Sequence, residues 1–118
     1  MATIYQMKSR TDVPVLITDQ QGFIIYVNEP FGEVFGWNFD EIIGKSLNTV
    51  IPRSYQDSHN LGFSRFAMTE QSRILNHPLR LLAVTKDGRE IMSEHFITAE
   101  QEDGQWVFGA ILRPLDQS

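Results

Sequence analysis

Val15-Leu16-Ile17-Thr18-Asp19-Gln20-Gln21-Gly22-Phe23-Ile24-Ile25-Tyr26-Val27-Asn28 sets the frame for the rest of the chain. Two runs rich in β-branched and aromatic residues flank a polar stretch that ends in glycine. That is a hairpin, with Gly22 supplying the positive φ of the turn. Asn28 then changes the register of the sequence. It can cap a helix whose first turn accepts Pro30, and Phe31, Val34 and Phe35 share one helical face before Gly36 stops it.

Downstream, Asn38 and Glu41 fit a capping box for a second short helix. Ile42 and Ile43 give its apolar side and Gly44 its end. Ser46 to Ile51 reads as a further short turn or helix closed by Pro52. Ser54 and Asp57 have capping-box spacing for a helix reaching about Met68. Tyr55, His59, Phe63 and Phe66 fall on one face of it. Three strands follow: Pro78 to Thr85, Glu90 to Ala99 and Trp106 to Arg113. Lys86-Asp87-Gly88-Arg89 and Glu102-Asp103-Gly104-Gln105 are the turns between them. Residues 1–11 read as a lead-in, 12–115 as one domain, and 116–118 as the start of an exit linker. Two strands, a helical middle and three strands predict an α+β domain: a five-stranded antiparallel sheet with short helices over one face and a pocket between.

Composition agrees with one globular domain of 118 residues. Ten Lys+Arg against fifteen Asp+Glu leave a net charge of −5, which counts against a nucleic-acid partner. No apolar run is long enough to span a membrane, and the first ten residues lack the order of a signal peptide, so a cytoplasmic location is expected. The chain has no cysteine. That excludes thiolate nucleophiles, cysteine-bound zinc or iron–sulfur clusters, and flavin (FMN) photochemistry through a cysteine adduct.

Several pieces resemble the PAS family. The hairpin Ile17 to Asn28 is similar to its opening. Phe35-Gly36-Trp37 with Glu41-Ile42-Ile43-Gly44-Lys45 is similar to its helical stretch. Lys86-Asp87-Gly88-Arg89-Glu90 is similar to its later hairpin. The resemblance covers roughly Asp12 to Leu115 and keeps the order of elements. It implies a non-enzymatic sensory module that binds a small ligand or none, homodimerises, and controls an effector such as a kinase or cyclase. Arg113-Pro114-Leu115-Asp116 departs from the usual exit, since proline neither donates to a ladder nor continues a helix.

The segment Ile51 to His59 also resembles the haem-binding oxygen sensors of that family, such as FixL and the direct oxygen sensor. There a histidine seven residues after the proline holds the iron. The resemblance implies haem b with His59 as axial ligand and Tyr55, Phe63 and Phe66 beside it. It places His77 at the sixth position, with Leu79, Leu81 and Ile111 lining the pocket. A histidine on an apolar stripe also fits as a core residue with one hydrogen-bond partner, which leaves a ligand-free or metabolite-binding dimerisation module as the alternative. His95 reads as an ordinary half-buried strand residue.

Other constellations carry less. Asp57, Ser58 and His59 are consecutive on a helix and cannot face one another as a triad. His59, His77 and His95 lack zinc-site spacing. Glu100, Glu102 and Asp103 read as a solvated turn rather than a calcium loop. Along the last strand both alternating sets are mostly apolar. One set covers the pocket; the other is expected to be exposed and to meet a second copy together with the N-terminal segment.

Overall fold

The computed structural model describes residues 3–54 and 78–115. In chain order the elements are α1 (Ile4–Lys8), β1 (Val15–Thr18), β2 (Ile24–Val27), α2 (Glu29–Phe35) and α3 (Phe39–Ile42). A 3-10 turn (Leu47–Val50) follows, then β3 (Leu79–Val84), β4 (Glu90–Glu102) and β5 (Gln105–Pro114). The strands form one antiparallel sheet in the order β2-β1-β5-β4-β3. This is the predicted α+β architecture.

Local chemistry explains the joints. The Asp19 carboxylate accepts hydrogen bonds from the Gln21 and Phe23 N–H groups, folding the β1–β2 turn around Gly22, whose φ is 90°. The β4–β5 loop shrinks to Asp103-Gly104, both at positive φ. That tight turn matches strand twist, so the ladder runs out to Glu102 opposite Gln105, beyond the expected strand ends. At the other hairpin, Thr85 N–H donates to Arg89 O, which leaves Lys86-Asp87-Gly88 as a three-residue loop. The chain is already helical at Arg53 and Ser54, so Ser54 lies inside that turn rather than capping it. The rest of the predicted Tyr55–Met68 helix lies outside the described residues.

Two apolar clusters sandwich the sheet. On the inner face Leu16, Ile24, Val27, Ala83 and Leu112 pack against Phe31 and Phe35 of α2, Ile42 of α3 and Val50. The Phe31 and Phe35 rings meet at 4.9 Å. On the outer face Val15, Ile17, Val107 and Ile111 pack against Ile4 and Met7 of α1. The alternation in β5 thus serves both faces, as predicted, but its outer set is covered by the chain's own α1. The expectation that this set is exposed in a single copy is corrected: Ile4 and Met7 are fully buried on it. The lead-in is part of the core.

Gly109 makes that packing close. A Cβ at this position would lie 2.5 Å from Ile4 Cδ1 and 2.8 Å from Met7 Sδ. α1 is further held at both ends. Glu100 Oε2 accepts the Ile4 N–H at 2.9 Å, and the Tyr26 hydroxyl donates to Lys8 O at 3.1 Å. Gly109→Val, which favours the strand intrinsically, should therefore lower stability by about 2 kcal/mol through overpacking. Urea unfolding should show a lower midpoint with an unchanged slope, and limited proteolysis should reach the lead-in faster. An unchanged midpoint would show that α1 does not need the close approach.

Candidate functional site

The inner face changes character from one side of the sheet to the other. Under α2 it is mostly apolar, with the buried Thr18 of β1 the exception. Towards β3 and β4 it carries polar side chains in phase with the core. Cross-strand register puts Leu79, His95 and Leu112 in one row and Leu81, Ser93 and Pro114 in the next. Leu112 belongs to the inner cluster, so both rows lie on the inner face. Ser93 is fully buried, and His95 is 9% exposed.

His95 is the least ordinary of these groups. Its ring lies by the Leu81 backbone, and among the described residues Nε2 is buried without a hydrogen-bond partner. In a neutral imidazole one ring nitrogen donates and the other accepts. Burial outweighs the opposing effect of the Leu81 backbone and pulls the imidazole down from 6.5 to about 4.

The helical layer is fixed over this face by the β3–β4 hairpin. Lys86 N–H donates to Phe35 O at 2.9 Å, at the C-terminal end of α2. The Lys86 ammonium pairs with the Glu41 carboxylate and lies 5.8 Å from the centre of the Trp37 ring. Glu41 is consequently held below the usual carboxylate range, first by its hydrogen bond to Lys86. Gly32 lets the chain fold back tightly here, since a Cβ would lie 2.7 Å from Trp37 O.

The predicted site residues are placed unevenly. Leu79 and Leu81 lie on the inner face, opposite His95 and Ser93. Leu81 is 39% exposed. Ile111 does not join them: it is one residue out of phase with Leu112 and packs under α1 on the outer face. His59, His77, Tyr55, Phe63 and Phe66 lie outside the described residues. Sequence reading treated His95 as half-buried and left out Ser93. Their phase was the available signal: Ile91, Ser93, His95 and Ile97 alternate with Glu90, Met92 and Glu94, so a solvated glutamate set implies an inward set containing the histidine. Among the described residues no group of acidic, histidine or cysteine side chains is arranged to hold a metal ion.

The depressed imidazole has a consequence for stability. Its pKa is lower in the folded state than in the unfolded chain, so folding favours the neutral form. The contribution is fully present above about pH 6.5 and is lost as pH falls towards 4. The full shift corresponds to about 3 kcal/mol. NMR titration of the His95 ring should give a midpoint near 4. Urea unfolding of His95→Phe should lose less stability than the parent across that window. A His95 midpoint at the ordinary value would contradict the burial described.

Comparison with known proteins agrees with this architecture. A family profile described as the PAS fold matches residues 3–114. An uncharacterized protein of Azorhizobium caulinodans is 28% identical over 102 residues, which is 86% of this chain and 14% of that protein. The crystal structure of a PAS domain from Desulfitobacterium hafniense superposes with a TM-score of 0.73 at 16% identity, covering 89% of this chain and 94% of that one. A PAS domain from a two-component sensor histidine kinase gives 0.69 at 11% identity, covering 87% and 85%.

Proposed function

The chain belongs to the PAS family, and from that premise we propose that it is a sensory module, not itself an enzyme, which binds a small molecule on the inner face of its sheet and regulates an effector within a longer protein. The observation that carries this reading is the buried polar residues Ser93 and His95, two positions apart on β4, on a sheet face that is otherwise mostly apolar core. A face evolved only for packing gains nothing from a histidine there, because a buried polar atom without a partner costs about 1–3 kcal/mol. A face that receives a ligand uses such groups to orient it. The longer context is supported by the Azorhizobium caulinodans relative, of which the chain spans 14%. No described helix is long and apolar enough to cross a membrane. We place the module in the cytoplasm, as a homodimer. Tyr5 supports the dimer: it is 82% exposed on a helix whose neighbouring Ile4 is buried.

A second reading names the ligand as haem b, with His59 as the axial group and His77 on the opposite side. It is supported by the stretch Ile51-Pro52-Arg53-Ser54, which turns helical after the proline and leads towards His59.

One experiment addresses both. The chain is expressed with a haem precursor, purified gently, and studied by absorption and native mass spectrometry beside His59→Ala. A mass excess that vanishes on denaturation supports the sensory reading. A Soret band that disappears in His59→Ala identifies the ligand as haem. A chain that carries no small molecule and takes up neither haemin nor any member of a metabolite panel contradicts ligand sensing.

A further inference from the structure

Cross-strand register sets the His95 imidazole on the inner face, in one row with Leu79 and Leu112, and its Nε2 is buried there. His95 is more than nine-tenths buried, and Nε2 has no partner among the described residues. The side chains in the same cross-strand row, Leu79 and Leu112, are apolar and offer it nothing. Most buried polar atoms are paired, and each exception calls for a reason. A histidine nitrogen left in that state is one that a ligand can use.

From this geometry we infer that His95 is the specificity-determining residue of the inner-face site, and that it selects a small, uncharged ligand bearing an N–H or O–H donor, which Nε2 accepts. The inference rests on the ligand-sensing reading above and adds the chemistry of the ligand. The face offers Nε2 a lone pair and otherwise apolar contact along that row. A carboxylate or phosphate would meet that lone pair with its own and be repelled. A hydrocarbon of equal size would leave Nε2 unpaired, as it is without a ligand.

The test uses phenol and toluene, which have similar size and shape and differ by a hydroxyl against a methyl group. The chain, labelled with 15N-histidine and with 13C-methyl leucine, is titrated with each, beside His95→Phe. Phenol is expected to bind about tenfold more tightly than toluene, as one satisfied hydrogen bond implies, and to move the His95 Nε2 resonance. The preference should vanish in His95→Phe. Equal binding of both probes, with the Nε2 resonance unmoved, would overturn the role of His95 while leaving an inner-face site intact. If neither probe perturbs the Leu79 and Leu112 methyls, this inference falls together with the site itself. The Nε2 measurement is made on the unmodified chain, so it stands even if the variant is misfolded.

Discussion

The side chain of Asn28 ties together the three parts of this fold. Its Oδ1 accepts the Val15 N–H at 2.9 Å and the Phe31 N–H at 3.1 Å. Its Nδ2 donates to Val13 O at 2.7 Å and to Arg10 O at 3.3 Å. One amide thus caps α2, pairs with the start of β1, and holds the segment leaving α1. Its backbone adds two more bonds, to Val15 O and from Gly32 N–H. The residue is 8% exposed, so water does not replace these partners cheaply. Aspartate would keep the two acceptor bonds and set a carboxylate against two carbonyls. Serine is too short to reach both sides. Only a side chain with an acceptor and a donor on one small head satisfies the junction.

From that junction the two faces of the sheet acquire separate tasks. The outer face is closed by α1, pressed onto Gly109 and held by Glu100 and Tyr26. The inner face is closed near β1 by α2 and α3, and the Lys86 contacts to Phe35, Glu41 and Trp37 hold that layer against the β3–β4 hairpin. Beyond it, in the rows of Leu79 and Leu81, the face carries Ser93 and His95. Because α1 and α2 share Asn28, a change on the inner face has a short covalent and hydrogen-bonded route to the lead-in. That is the arrangement a sensory module needs if its N-terminal helix reports on its interior.

Much of this was legible in the sequence, for local reasons. The Asp19 turn, the Asn28 cap and the Gly36 stop are each fixed by residue chemistry within a few positions. The antiparallel sheet followed from strand patterning and hairpin turns. The site was less legible, because it depends on which face each strand residue meets. Ile111 and Leu112 are both apolar neighbours, and only the register with β1 and β4 assigns Ile111 to α1 and Leu112 to the interior. The covering of the outer face was missed because a five-residue helix has little pattern of its own. Its burial is set by Gly109, about a hundred residues away. His95 could have been placed by its phase against Glu90 and Glu94. The isolation of its Nε2 among the described residues could not, since that depends on what the neighbouring strands set around the ring.

The central claim is that the Asn28 amide makes the lead-in, the sheet and the helical layer one cooperative unit. Native-state amide hydrogen exchange on the parent chain and on Asn28→Ala tests it most directly. The account predicts that exchange accelerates together at Phe31 and Gly32 in α2, at Val15 in β1, and at Met7 and Arg10 around α1. Acceleration confined to Phe31, Gly32 and Val15, with the α1 amides as protected as before, would contradict it and reduce Asn28 to a local helix cap.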